Sequence, residues 1–387
     1  MKEMTPRARV RAAIEHQETD RVPVALGGGP YGIVDEVYFK LLELFDLGDP
    51  VPPFRKGHNI SYLDDRVFER LGIDTRYVWP GDSPSSPKTP TDDPNFFLDG
   101  YGQPWKRALP YYYPVEGILS GKDLDDIDKV VQWPDTDDPR WVAGVRERAQ
   151  DLKENTDYFV IARMVTSHGP YMTAAHLRGT EQFLMDMSLD ESFTQTLLAK
   201  VTDCIDAFLR NYLQAGGEYI DMIELPGDDY ATSKNLIMSP VVFRKFIKPA
   251  IQQLVTTIKE FRSDLKIMLH SDGMIQPILD DFIEIGIDVV HPLEPLPVIE
   301  HSDIKAEFGD QLAFLGGIDI VHAMPGSRED VIAEVKRRIQ ALAPGGGYIL
   351  APANHIQPDV PPENLVTLYD AARQYGQYPI QGEDIGR

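Results

Sequence analysis

The chain alternates short apolar runs with longer stretches of helical periodicity. Eight runs read as strands: Arg21–Ala25, Thr75–Trp79, Tyr158–Ala162, Tyr219–Ile223, Lys266–Leu269, Asp288–His291, Leu312–Leu315 and Gly347–Leu350. Most are continuously apolar rather than alternating, as expected of strands covered on both faces in a parallel sheet. Amphipathic patterns separate them, most clearly Leu189–Ala215, Pro240–Phe261, Ile275–Ile285, Arg328–Leu342 and Pro362–Tyr375. Ser239 before Pro240 places a capping hydroxyl ahead of a proline at the first helical position. Gly216-Gly217 ends the long helix before the next strand. Eight serial strand–helix units predict one α/β domain over residues 1–387, a single (β/α)8 TIM barrel.

Residues 80–138 break the rhythm. The stretch opens with Ser83-Pro84-Ser85-Ser86-Pro87 and continues with Phe96, Phe97, Tyr101, Trp105 and Tyr111-Tyr112-Tyr113. Leu98–Gly102 reads as a hairpin turn. The expected arrangement is an insertion between the second and third strands, folded over the barrel mouth as a flap.

Composition narrows the partners. Lys plus Arg against Asp plus Glu is 38 − 61, a formal charge of −23. Such a surface repels nucleic acid and anionic membranes, and no basic run offsets it. The lone Cys204 cannot form an internal disulfide, and its place in an apolar helical pattern reads as core. Met1–Pro6 contains no apolar run and no stretch has the length of a membrane span. These features point to a cytoplasmic enzyme acting on a small molecule, with a homodimer as the default assembly.

The strongest local signal is Lys266–Gly273. An apolar strand runs into His270, and Asp272 follows two residues later. Side chains at i and i+2 of an extended segment point the same way, so both can converge on one ion or proton. Barrel enzymes carry their chemistry at such strand ends, and imidazole with carboxylate is an ordinary divalent-metal donor pair. The structural alternative is a capping aspartate beside a hydrogen-bonded histidine. Other strand ends carry comparable groups: His291 and Glu294, then Glu224, Asp228 and Asp229, then Asn354 and His355. The Asp228-Asp229 pair reads equally as ligand or helix cap. His16, His58, His301 and His322 fall in helical or loop contexts and receive no role. No G-x-S-x-G elbow or phosphate loop occurs. Gly27-Gly28-Gly29 lacks the dinucleotide fingerprint and reads instead as close backbone approach at the mouth.

Taken together, Met4–Val24, Gly169-Pro170, Leu177-Arg178-Gly179, Gly227-Asp228-Asp229, Ser239-Pro240, the His270 motif, Gly346–Leu350 and Pro361–Asn364 resemble the uroporphyrinogen decarboxylase superfamily. That barrel family also contains cobalamin-dependent methyltransferases. The resemblance implies an arginine-rich segment after the first strand in true decarboxylases. Here Ala25–Tyr31 has no arginine. Asp74 falls near the family's pyrrole-binding aspartate. In the methyltransferase branch the resemblance implies zinc held by H-x-C and a later cysteine. His270 matches the histidine, whereas Asp272 and Asn354 stand in the cysteine positions and His355 follows. An oxygen-and-nitrogen site of His270, Asp272, Glu294 and His355 is therefore expected, for zinc or another divalent ion. Asp74, Glu224 and Asp228 are the candidate catalytic carboxylates. The function implied is metal-dependent methyl transfer between a small molecule, such as a methoxylated compound, and a corrinoid, free or on a partner protein. The alternatives are a metal-free decarboxylase of a small acid or porphyrinogen-like substrate, and a non-catalytic ligand-binding barrel.

Overall fold

The computed structural model describes residues 3–51, 59–81, 89–90, 93, 95–108, 111–163 and 165–380. His58 and Ser83–Pro87 lie outside the described residues. The strands in chain order are β1 (Thr75–Val78), β2 (Thr89–Pro90), β3 (Phe96–Leu98), β4 (Pro104–Ala108), β5 (Tyr111–Pro114), β6 (Phe159–Ala162), β7 (Met222–Glu224), β8 (Lys266–His270), β9 (Val289–His291), β10 (Ala313–Ile318) and β11 (Tyr348–Pro352). Seven of them form one curled parallel sheet in the order β1-β6-β7-β8-β9-β10-β11. Apart from the half-buried Lys266, every residue of these seven strands is buried. That burial accounts for their continuous apolar character: helices cover one face and the barrel interior the other.

The first expected strand is a correction. Arg21–Ala25 makes only isolated bridges, Arg21 with Gln377 and Val24 with Leu350. Pro23 has no N–H to donate, and the Val24 N–H goes to the Asp74 carboxylate at 2.9 Å instead of to a strand. The segment still lies between the two sheet edges. Ala25 N–H donates to the Leu350 carbonyl on one side, and Asp74 N–H donates to the Val24 carbonyl on the other. A proline and a side-chain acceptor thus replace a regular ladder where the sheet meets itself.

Between β1 and β6 the chain forms a second, antiparallel sheet, β2-β3-β4-β5. Its turn is built by Asp99, whose Oδ1 accepts the N–H groups of Tyr101 and Gln103 and whose Oδ2 accepts Trp105 Nε1–H at 2.9 Å. Burial pushes the Asp99 carboxyl up to about 6. Tyr101 tethers this region to the long helix Glu191–Gly216, its hydroxyl 4.0 Å from the sulfur of buried Cys204. Burial pushes that thiol up to about 11, so it is packing material rather than a nucleophile.

The helices follow their capping signals. Ser239 accepts the Val242 N–H ahead of Pro240, and Asp190 accepts the Phe193 N–H at the start of the long helix. The expected Pro240–Phe261 helix contains a π-turn at Phe243–Ile247. Pro249 lies just beyond it, and the wider turn relieves the clash its ring would make with the carbonyl four residues back. Among the described residues no helix is long and apolar enough to cross a membrane.

Candidate metal centre and cavity

The C-terminal ends of β7, β8, β9 and β11 deliver side chains to one cavity of about 730 Å³. His270, the last residue of β8, and Asp272 just beyond it meet Asp229 from the loop after β7. One ligating atom from each lies within 4.8 Å of the others. His270 Nε2 is 3.7 Å from Asp229 Oδ1 and 3.9 Å from Asp272 Oδ1, too long for hydrogen bonds and suited to a shared cation. The loops are locked together, since Asp229 Oδ1 accepts the Asp272 N–H at 3.0 Å. Asn354 Nδ2–H holds Asp272 Oδ2 at 2.7 Å. Burial raises Asp272 to about 6, against the lowering pull of His270, with Asp229 and Glu294 adding to the rise. A half-buried carboxylate beside two others is a place where a positive charge is favoured.

The ring of His270 is oriented from below. Its Nδ1 lies 2.8 Å from Nδ1 of His291, and His291 Nε2 lies 3.3 Å from the Pro352 carbonyl oxygen. A carbonyl can only accept, so His291 Nε2 carries a hydrogen. Burial lowers the His291 pKa well below its usual value, so that ring is neutral and its Nδ1 accepts. His270 must then donate from Nδ1, and a neutral His270 presents its Nε2 lone pair to Asp229 and Asp272. His270 is 8% exposed, and its Nε2 is the ring atom that faces the Asp229 and Asp272 carboxylates. The donor set fits a divalent cation. His291→Phe should leave the fold intact but free the His270 ring to rotate. Cation affinity is expected to fall about 10- to 100-fold in a calorimetric titration.

The other expected site residues are distributed differently. Glu294 lines the same cavity, but its Oε2 accepts the Gly273 N–H at 2.8 Å and it stands outside the three-residue cluster. His355 also lines the cavity, with Nδ1 accepting the Gly32 N–H at 2.9 Å, so that nitrogen braces the glycine loop rather than facing the cluster. Asp228 is fully buried and caps the helix Pro170–Arg178, accepting the Tyr171 and Met172 N–H groups at 2.9 and 2.8 Å. Burial pushes it up to about 7. Glu224 ends β7, fully buried, and accepts Gly29 N–H at 2.7 Å and Tyr31 O–H at 2.8 Å. Burial raises its pKa, opposed by nearby Arg163. Glycine is required at position 28, since a Cβ there would sit 2.4 Å from Glu224 Oε1 and 2.1 Å from the Tyr31 ring.

Asp74 needs a correction of place. It precedes β1, at the opposite end of the sheet from His270, and is absent from the residues lining the cavity. Arg9 and Arg21 pair with it at 2.6 and 2.8 Å. Its charge is spent in a buried ionic cluster with no access to the cavity.

The sequence singled out His291 only as one strand end among several, and placed the aromatic stretch that includes Trp105 and Tyr111 over the mouth without saying which of its rings line the cavity. Trp105 stacks on His168 with ring centroids 5.6 Å apart, and His176 packs edge-on against both. Tyr111 accepts a hydrogen bond from Gln357 and lies near His355. The aromatic density of residues 96–113 was the available signal, but no local pattern says which rings face inward.

The uroporphyrinogen decarboxylase (URO-D) family model matches residues 119–375. A uroporphyrinogen decarboxylase of Chlorobaculum tepidum is 24% identical over 190 residues, 49% of this chain and 51% of the relative. The chain thus spans about half the length of the decarboxylases it matches. A methylcobamide:CoM methyltransferase, MtaA, of Methanosarcina barkeri is 25% identical over 276 residues, 70% of this chain and 72% of the relative. A solved methyltransferase from Methanosarcina mazei superposes with a TM-score of 0.66 at 20% identity, covering 96% of this chain and 99% of that one, which is a likeness of fold.

Proposed function

The chain belongs to the uroporphyrinogen decarboxylase family, and on that premise we propose that it is a metal-dependent methyltransferase moving a methyl group between a small molecule and a corrinoid, free or carried by a partner protein. The observation that carries this reading is the cluster of Asp229, His270 and Asp272 at the end of an aromatic-walled cavity. A nitrogen and two carboxylates, without thiolate, suit a hard or borderline divalent cation such as zinc. When bound, that cation supplies Lewis acidity to an oxygen of the small molecule, such as the ether oxygen of a methoxylated compound.

The protein's own groups do the rest. His291 fixes the His270 tautomer, Asn354 holds Asp272, and Glu294 stands beside the cluster as a further anionic group. Glu224 and Asp228 act as positioning groups: one anchors the glycine loop and the other the helix that brings Met172 and His176 to the cavity wall. The sheet within residues 80–138 contributes Trp105 and Tyr111 to the wall, which supports a flap that keeps water from the reacting centre.

A decarboxylase acting on a substrate with many carboxylates is disfavoured on two counts. Asp74 is remote, and among the described residues no lysine or arginine lines the cavity. The deciding experiment incubates purified, metal-loaded protein with cob(I)alamin and candidate methyl donors while the corrinoid spectrum is followed. A shift to the methylcobalamin spectrum that disappears in His270→Ala is the expected result. A flat spectrum with every donor class, in protein that has bound its metal, would overturn the reading.

A further inference from the structure

The charge of the cavity limits what it takes. Asp229, Asp272 and Glu294 line it, and no lysine or arginine does among the described residues. Asp319 also lines it, but its carboxylate is engaged by the N–H groups of Val321 and His322. Among the described residues the protein donor to Glu294 is the Gly273 N–H, at Oε2. Three carboxylates therefore face the space, and a divalent cation on the cluster offsets two of their three formal charges. Burial lowers His176 to about 4, so that imidazole brings no positive charge to the wall. The rings of Tyr111 and Tyr112 line the same cavity, as does Trp105, which is itself stacked against Phe97 and His168. Carboxylates and aromatic rings lining one cavity are the two ordinary recognition devices for an organic cation.

We infer that the small molecule bound in this cavity is an organic cation carrying an alkylated ammonium group, and not a carboxylate, phosphate or sulfonate. Its onium head packs against the aromatic wall and shares the field of Glu294. This names the substrate class of the proposed methyltransferase and rests on that reading only for the reaction, since the charge preference is a property of binding.

The test compares three molecules of one shape by isothermal titration of the full, metal-loaded chain without corrinoid: choline, its neutral carbon isostere dimethylbutanol, and the corresponding dimethylbutanoate. Choline is expected to bind about tenfold tighter than the alcohol, consistent with the scale of cation–π and partly desolvated ionic contacts. The carboxylate should give no measurable heat of binding. Glu294→Gln should weaken choline about fivefold and leave the alcohol unchanged, a loss smaller than the ~1.4 kcal/mol that corresponds to a factor of ten. Tyr111→Leu should weaken choline more than the alcohol. Equal affinities for the three, or tighter binding of the anion, would overturn the inference. Because wild-type protein makes that comparison, misfolding of a variant does not obscure it. The corrinoid assay separates the two proposals: methyl transfer from a neutral ether with no cation preference removes this inference alone. Choline binding in a protein that is inert toward cob(I)alamin supports the inference while removing the reaction.

Discussion

His270→Ala is expected to lose bound metal almost completely. The substitution removes the only nitrogen of the three-atom cluster and leaves the Asp229 and Asp272 carboxylates as its remaining donors. Removing a direct ligand should exceed the 10- to 100-fold range associated with residues that merely orient one. A decrease in cation affinity of about a thousandfold is expected, read by calorimetry and by the metal content of the purified protein. The fold should survive, because His270 has one side-chain partner, His291, and no backbone partner for its ring. Asp229→Asn and Asp272→Asn should give intermediate losses, since each retains an oxygen donor while deleting a charge. Full metal content in His270→Ala would move the centre elsewhere in the cavity, with Glu294 and His355 the groups to examine next.

Asp74→Ala is expected to damage stability rather than chemistry. The carboxylate is 1% exposed, takes the guanidinium groups of Arg9 and Arg21, and receives the Val24 N–H. Its removal strands the Arg21 guanidinium and the Val24 amide, and takes one of two anions from Arg9, at the junction where the sheet meets its own edge. Breaking a buried pair by deleting one partner costs about 3–5 kcal/mol, and Arg9 keeps Asp20 as its remaining anion. Chemical denaturation followed by circular dichroism should show this loss, while cation affinity at the His270 cluster stays within experimental error. A variant of native stability that had lost turnover would return Asp74 to the catalytic machinery.

The contrast between these two aspartates marks how far local sequence carries. Asp272 follows the end of a strand and Asp74 precedes the start of one, and chain direction alone sends their side chains to opposite ends of a parallel sheet. Reading Asp74 as catalytic weighed its resemblance to a family position above its place relative to β1. Glu294 and His355 did reach the cavity. Whether they also reach the cluster depends on what their loops hydrogen-bond, and those partners, Gly273 and Gly32, come from other parts of the chain. Asp229 could be read either way, because a carboxylate in a loop before a helix serves as cap or ligand with the same local pattern. The structure divides the pair, giving Asp228 to the cap and Asp229 to the cavity.

The parallel sheet, the gathering of polar side chains at the ends of its strands and the i, i+2 proximity of His270 and Asp272 were determined by sequence alone. They follow from burial periodicity and the alternation of side chains along a strand, which are local properties of the backbone. Tertiary structure alone decided the His270–His291–Pro352 chain, the remoteness of Asp74, the Pro23-interrupted segment that replaces a first strand, and the absence of lysine and arginine among the described cavity walls. Each depends on groups tens to hundreds of residues apart meeting within a few ångströms, and no window of sequence contains both partners.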